Sequence, residues 1–240
     1  MRGYREDLAY VHDAGFRDYA LHAAPGLLRI LRRHSVTDGL IVDLGCGSGR
    51  WAAALNRSGY DVLGIDQSPA MIQLARRIAP KSRFRIASLW SARLPPCGAI
   101  TSIGECLNYC FDRSGNTLGR LFQRVYRALR PGGVFVFDIA GPDRLPKLMP
   151  SKNWIGGRDW AILVSVSGNH KQHILRRQII CYRKIGSLFR RSEETHTLRL
   201  YQTHDLLRDL TRCGFEARAI SGYGHFRFPT GISGIVAVKP

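Results

Sequence analysis

The 240-residue chain is short of acids and shorter still of lysine. It holds 18 Asp and Glu against 36 Lys and Arg, and its lysines stand only at positions 81, 147, 152, 171, 184 and 239. Long apolar runs are missing: none reaches the ~20 residues that a bilayer-spanning helix needs. The opening stretch MRGYREDLAY carries acids and no apolar segment, so no secretory signal is expected there. The cysteines, Cys46, Cys97, Cys106, Cys110, Cys181 and Cys213, form no C-x-x-C pair, which argues against zinc and disulfide frameworks. Internal repeats and low-complexity tracts are lacking too. These absences predict a reduced, cytoplasmic chain with no membrane partner and no metal site.

The net charge of +18 raises nucleic acid as a partner. The arginines, however, are scattered as pairs at 32–33, 76–77, 176–177 and 190–191 and form no long block. Such scatter reads as a solvated surface. A field of this sign also steers anionic small molecules. The length and the 45% apolar content fit one domain with a full core and room for an inserted subdomain.

The chain is organised around Ile41-Val42-Asp43-Leu44-Gly45-Cys46-Gly47-Ser48-Gly49-Arg50-Trp51. This is a short apolar run, a glycine-rich turn and a helix start. A second apolar run, Val62 to Ile65, ends on Asp66. Strand, glycine turn, helix, strand and terminal acid make a nucleoside-binding half of an open α/β sheet. The glycines let a ligand approach the backbone, and the helix N-terminus favours a negative group. Asp66 can accept hydrogen bonds from both hydroxyls of a ribose. The spacing is G-x-G-x-G, not the G-x-G-x-x-G of dinucleotide sites. Asp43, two residues before the first glycine, can meet an ammonium group. Together these fit a cofactor with an amino-acid end and a ribose end.

At this point the chain resembles the class I S-adenosylmethionine-dependent methyltransferases. VDLGCGSG is similar to their first motif and LGIDQSPAMI to their second, and the likeness runs over residues 38–140. It implies a Rossmann-like, seven-stranded, mostly parallel α/β sheet flanked by helices, with an antiparallel β insert after strand five. The expected organisation is an N-terminal helical lid (1–37), the cofactor core (38–140), the insert as substrate cover (141–202) and closing elements (203–240). S-adenosylmethionine is the implied cofactor. Its implied contacts are Asp43, Gly45, Cys46, Gly47, Asp66, Gln67, Ser88, Leu89 and Gly104, with Phe16 from the lid. Ser88 stands where the family carries an acid for the adenine amino group, and a hydroxyl accepts more weakly than a carboxylate.

In chain order, residues 4–34 read as helical, and His12, Phe16 and Tyr19 can line the site from that helix. His12 and Tyr19 are assigned to the acceptor. Ser68 and Pro69 give a helix start. A fourth strand, 99–103, runs into Gly104-Glu105-Cys106-Leu107-Asn108-Tyr109, which the resemblance sets beside the reactive methyl group. Glu105 and Tyr109 are therefore candidate catalytic groups, and Asn108 a candidate for orienting the acceptor. Amino methyltransferases of nucleic acids carry Asn/Asp-Pro-Pro-Tyr/Phe there, whereas this chain has Leu107-Asn108-Tyr109-Cys110.

Residues 117–130 have the spacing of an amphipathic helix. It is stopped by Pro131-Gly132-Gly133 and followed by strand five, 134–138. Three strand-like runs, 160–166, 174–182 and 195–201, form the expected insert. Alternation puts Glu194 and His196 on one face, as a catalytic or acceptor-binding pair or as a solvated charge cluster. Two ligands are too few for zinc. Thr203 is expected to cap a helix over 205–212, and 215–220 with 235–238 to close the sheet. The expected activity is S-adenosylmethionine-dependent methyl transfer to a small, anionic acceptor at N, O or C. The alternatives are an RNA methyltransferase using the basic surface and a non-catalytic cofactor-binding protein.

Overall fold

A computed structural model of the chain describes residues 3–111, 117–147 and 150–240. The first two residues of the expected lid therefore lie outside the described residues. A long helix, α1 (Glu6–Arg33), opens the chain and is followed by β1 (Leu40–Leu44), α2 (Arg50–Arg57), β2 (Asp61–Asp66), α3 (Pro69–Ile78) and β3 (Arg83–Ile86). Then come β4 (Cys97–Ser102), α4 (Leu118–Ala128) and β5 (Leu129–Ala140). Four strands follow, β6 (Ser151–Gly156), β7 (Trp160–Asn169), β8 (Ile174–Ile185) and β9 (Leu188–Arg199). The chain closes with α5 (Thr203–Arg212), β10 (Glu216–Ile220), the short β11 (Gly222–Tyr223) and β12 (Phe226–Arg227), and β13 (Ile232–Val238).

The main sheet has seven strands in the order β10-β13-β5-β4-β1-β2-β3. Strands β1 to β5 are parallel, while β13 runs antiparallel between β5 and β10. The pleat divides each strand between two cores. Phe135 and Phe137 of β5 pack with Leu121, Phe122 and Val125 of α4 and Leu206 and Leu210 of α5. Val134 and Val136, one residue out of phase, pack with Leu27 and Leu31 of α1 and Trp51 and Leu55 of α2. Strands buried on both faces read as continuous apolar runs, which is why GVFVFDIA shows no alternation. The carboxyl ends of β1, β2, β4 and β5 consequently share one edge of the sheet, where a ligand cleft belongs.

Strands β6 to β9 make a separate antiparallel sheet in sequence order. Sequence reading expects three of these strands; β6 is the fourth. Its residues are almost all exposed, and its polar residues (Ser151, Lys152, Asn153) precede its apolar ones (Trp154, Ile155) in one block, so it carries no alternating pattern. Helix α1 joins the two sheets: Leu8 and Val11 pack on Trp160, Ile162, Ile179 and Cys181 of the insert, while the helix's second half packs on the main sheet. Two smaller expectations also change. Thr203 is the first residue of α5 and Gln202 takes the N-cap position. Ser68 does cap α3, its hydroxyl accepting from the Met71 N–H at 3.1 Å.

Asn108 is expected to orient an acceptor, but the fold uses all of it. Its amide nitrogen donates to the Ala140 carbonyl at 2.8 Å and the Arg199 carbonyl at 2.6 Å, and its oxygen accepts from the Ala140 N–H at 2.9 Å. The side chain is 1% exposed. It staples the end of β5 to the end of β9 and has nothing left for a substrate. Asn108→Ala should remove three hydrogen bonds, leaving the Ala140 carbonyl only the Tyr201 N–H and the Ala140 N–H without its side-chain partner, and cost about 2 kcal/mol or more of stability. Urea denaturation is the check, and a loss below about 1 kcal/mol would show the staple to be dispensable.

Candidate active site

The glycine turn is shaped by left-handed backbone. Gly45, Gly47 and Gly49 have φ of 73°, 52° and 79°. The Gly45 and Cys46 N–H groups donate to the Ile65 carbonyl at 2.7 and 3.1 Å, which draws the turn over the end of β2. A Cβ on Gly45 would stand 2.5 Å from Cys106 Sγ, whereas one on Gly47 or on Gly104 would enter open space. A glycine pair facing an open volume is a cradle that a flat or flexible ligand can enter against bare backbone.

Three carboxylates surround that cradle. Asp66 accepts from the Gly47 N–H at 3.0 Å with one oxygen and from the Ser68 N–H at 2.8 Å with the other. Burial raises its pKa, opposed by these backbone donors. Asp43 is 2% exposed and accepts from Thr101 Oγ1 at 2.8 Å, and Trp51 Nε1 donates to that same hydroxyl at 3.1 Å. Burial lifts Asp43 to about 7, the Thr101 bond opposes the rise, and the neighbouring Asp66 adds to it. Asp138, fully buried at the end of β5, accepts from the N–H groups of Gly104 at 2.9 Å and Glu105 at 2.6 Å. It also accepts from the hydroxyls of Tyr223 at 2.9 Å and Tyr19 at 3.2 Å. Burial still pushes it to about 6 against four donors. Buried carboxylates with raised pKa values and no facing cation mark a place where a cation is expected.

Sequence reading missed Asp138 and Tyr223 as parts of this site. The signal for Asp138 was available, an acid at the carboxyl end of a central strand. Tyr223 lay in an aromatic loop that only the tertiary fold could place. Tyr19 does reach the site, through Asp138. Phe16 and His12 stand about one and two turns earlier on α1 and face the insert. His12 packs on Phe16 with ring centres 5.9 Å apart, and Phe16 on Trp160 at 6.5 Å. Burial lowers His12 to about 4, and its Nδ1 has no partner among the described residues.

Leu89 lies next to the turn, 3.9 Å from where a Gly45 Cβ would sit. The hydroxyl of Ser88 accepts from the Trp90 N–H at 3.1 Å, which shapes the loop after β3. Arg124 Nη2 fixes the same loop from α4, donating to the carbonyls of Leu89 at 3.1 Å and Ala92 at 2.8 Å. Cys46 is buried beneath the turn, and Gln67 follows Asp66 at a half-buried position.

At the end of β4, Glu105 has a left-handed φ of 61°, unusual for a residue with a Cβ. Its backbone N–H is the one held by Asp138. Its carboxylate accepts from Arg177 Nη2 of β8 at 2.9 Å and lies 3.7 Å from Arg144 Nε. Arg177 also donates to the Tyr109 hydroxyl at 3.4 Å, and that hydroxyl lies 2.8 Å from the hydroxyl of Tyr4. Burial raises the pKa of both phenols. Tyr4 thus joins the group, and it too was missed; one tyrosine beside an exposed N-terminal turn gives no sequence signal.

Glu194 and His196 are together, as alternation predicts, with Nε2 and Oε2 3.0 Å apart. They do not stand free. The Glu194 carboxylate accepts from the backbone N–H groups of Tyr4 at 2.7 Å and Arg5 at 2.8 Å. Burial acts to raise its pKa, but His196 and these donors hold it below the usual carboxylate value. The pair fastens the start of α1 to the insert. From the other side, Ser68 Oγ donates to the Tyr4 carbonyl at 2.6 Å.

A family described as a methyltransferase domain matches residues 41–133. The putative methyltransferase YqeM of Bacillus subtilis is 24% identical over 191 residues, 76% of each chain. Relatives at 32–34% identity match over only 38–39% of their own length. The crystal structure of an S-adenosylmethionine-dependent methyltransferase from Clostridium acetobutylicum superposes with a TM-score of 0.82 at 19% identity, over 96% of this chain and 97% of that one. The sugar N-methyltransferase KedS8 of a Streptoalloteichus species gives 0.79 at 20% identity, over 100% and 94%. The matched segment, which holds the glycine turn, Asp43, Asp66, Gly104 and Glu105, is similar to a methyltransferase domain, and the chain shares the fold of a solved S-adenosylmethionine-dependent methyltransferase.

Proposed function

We propose that the site transfers a methyl group from S-adenosylmethionine to a small-molecule acceptor held between Glu105, Tyr109 and the insert. One observation carries this reading: three carboxylates, Asp43, Asp66 and Asp138, are gathered at one glycine turn in a chain of net charge +18. Two unit charges 4 Å apart attract by about 4 kcal/mol at an effective dielectric of 20. A cofactor bearing a sulfonium and an ammonium is thus drawn to this corner of a basic protein.

In this reading Asp66 receives the ribose hydroxyls and Asp43 the ammonium. Gly45, Gly47 and Gly104 offer bare backbone, and Leu89, Ser88 and Gln67 border the adenine. When bound, the cofactor supplies an activated methyl group with a neutral leaving group. The protein's task is alignment and exclusion of water. Asp138 does the aligning at the reaction end, because it fixes Gly104 and Glu105 through their N–H groups. Tyr4, Tyr109 and Arg177, from three separated parts of the chain, meet beside Glu105. That confinement suits a small acceptor better than a polynucleotide strand. The sugar acceptor named for KedS8 is of this size class.

Two outcomes follow for the cofactor. Asp66→Ala should weaken S-adenosylmethionine by about a hundredfold, since a bidentate, partly buried acceptor for two hydroxyls is lost. Calorimetric titration reads it directly, and unchanged affinity would remove Asp66 from the site.

The second concerns pH. Asp43 titrates near 7 in the folded protein, and an α-amino group near 8. Affinity should therefore rise from pH 6 to about 7.5 and fall again above about 8. Asp43→Asn should lose the rise on the acid side. Without cofactor the sign reverses. A carboxyl whose folded pKa lies above its unfolded value loses stability as pH climbs from the unfolded value to about 7. Asp43→Asn should therefore melt progressively higher than wild type from pH 5 to about 7, with the gap level above that. Parallel melting curves across that range would show that Asp43 does not titrate there.

A further inference from the structure

The two ends of the site have opposite charge. Around the glycine turn lie Asp43, Asp66 and Asp138. On the insert side of the reaction end, away from Asp138, one acid side chain among the described residues, Glu105, lies between two guanidinium groups, Arg177 at 2.9 Å and Arg144 at 3.7 Å. Arg177 is well buried, with 19% of its side chain exposed, and is further tied to Tyr109. Arg144 is at the rim, 39% exposed, and has no other acid partner among the described residues. One carboxylate between two guanidinium groups leaves a surplus positive charge in a half-buried place. An anion with planar, bidentate oxygens suits it best.

A second observation points the same way. An amine, phenol or carbon acceptor must lose a proton, and the described residues present no base placed to take it. Glu105 is ion-paired. Asp138 already receives four donors. The Tyr4 and Tyr109 phenols and the Cys106 thiol are pushed up by burial and stay protonated. His12, lowered to about 4 by burial, is too weak. His196 is 1% exposed, spends Nε2 on Glu194 and has its unpartnered Nδ1 buried away from solvent. The site is equipped for an acceptor that arrives already ionised.

We propose that the acceptor is a carboxylate, docked by Arg144 and Arg177 beside Glu105 and methylated on oxygen. The inference rests on the methyltransferase reading of the site. The electron balance is simple. A carboxylate oxygen gives the pair for the new O–CH3 bond, and the pair of the broken S–CH3 bond stays on sulfur as a neutral thioether. No proton moves. The sulfonium and carboxylate charges vanish together, so a poorly solvating interior favours the change. Arg144 is then the residue that selects the acceptor.

Calorimetry on the protein saturated with S-adenosylhomocysteine separates this inference from the one beneath it. Malonate, succinate and benzoate are titrated into that complex, with propylamine and benzylamine as controls. At least one carboxylate should bind and neither amine should. Arg144→Gln should weaken the carboxylate by about tenfold or more, with S-adenosylhomocysteine affinity unchanged as evidence of an intact fold. Arg144→Lys should restore part of the loss. In turnover with methyl-labelled cofactor and the carboxylate that binds, label should be released as methanol by mild alkali, as from an ester. The proposal is overturned if the complex forms and no carboxylate binds, if the amines bind as well, if Arg144→Gln changes nothing, or if the label is alkali-stable. Failure of S-adenosylhomocysteine itself to bind would overturn the cofactor reading, and this inference with it.

Discussion

Everything at the site depends on holding three carboxylates, two of them almost wholly out of water, at the edge of one sheet. Asp43 and Asp138 are almost fully buried, and burial drives their pKa values toward neutrality. Such a cluster is costly in a protein interior unless it is hydrogen-bonded. The fold answers with donors from many directions: Thr101 and Trp51 for Asp43, the turn's own N–H groups for Asp66, and two backbone and two phenol donors for Asp138. The glycine turn, the loop after β4, α1 and the β11–β12 hairpin therefore take their positions from the same three side chains.

The insert is coupled to this frame by charge and not only by packing. Arg177 extends from β8 to Glu105 and Tyr109, Asn108 ties the end of β5 to the end of β9, and Glu194 receives the first N–H groups of α1. A shift of the four-stranded sheet is thus felt at the carboxyl end of β4. Glu105 concentrates this coupling: its backbone belongs to Asp138 and its side chain to the insert. Its left-handed φ is sustained by both holds.

Much of the frame is legible in the sequence because it is local. The glycine turn, the terminal Asp66, the Ser68-Pro69 helix start and the periodic α4 each follow from a few adjacent residues. β6 escaped because an exposed edge strand with its polar and apolar residues in separate blocks leaves no alternation. The site divides in the same way. The proposed cofactor half is written in contiguous motifs. The proposed acceptor half is assembled from Tyr4, Glu105, Tyr109, Arg144 and Arg177, whose meeting depends on long-range pairing. For that reason His196 and Glu194, on a convincing face by alternation, serve as a clasp, and Asn108, well placed in sequence, is consumed by backbone.

The clasp at Tyr4 has a consequence for how the chain reaches its final form. Glu194 holds the N–H groups of Tyr4 and Arg5 across a sequence separation of 189–190 residues, and β5, beside the central β4, gains its outer neighbour only from β13. Contacts this distant close late and set the pace of folding. During synthesis the glycine turn emerges before its partners: the Asp138 cluster waits for Tyr223, and the start of α1 waits for β9. A product truncated ahead of Tyr223 would therefore carry the recognisable motif and lack the finished Asp138 cluster.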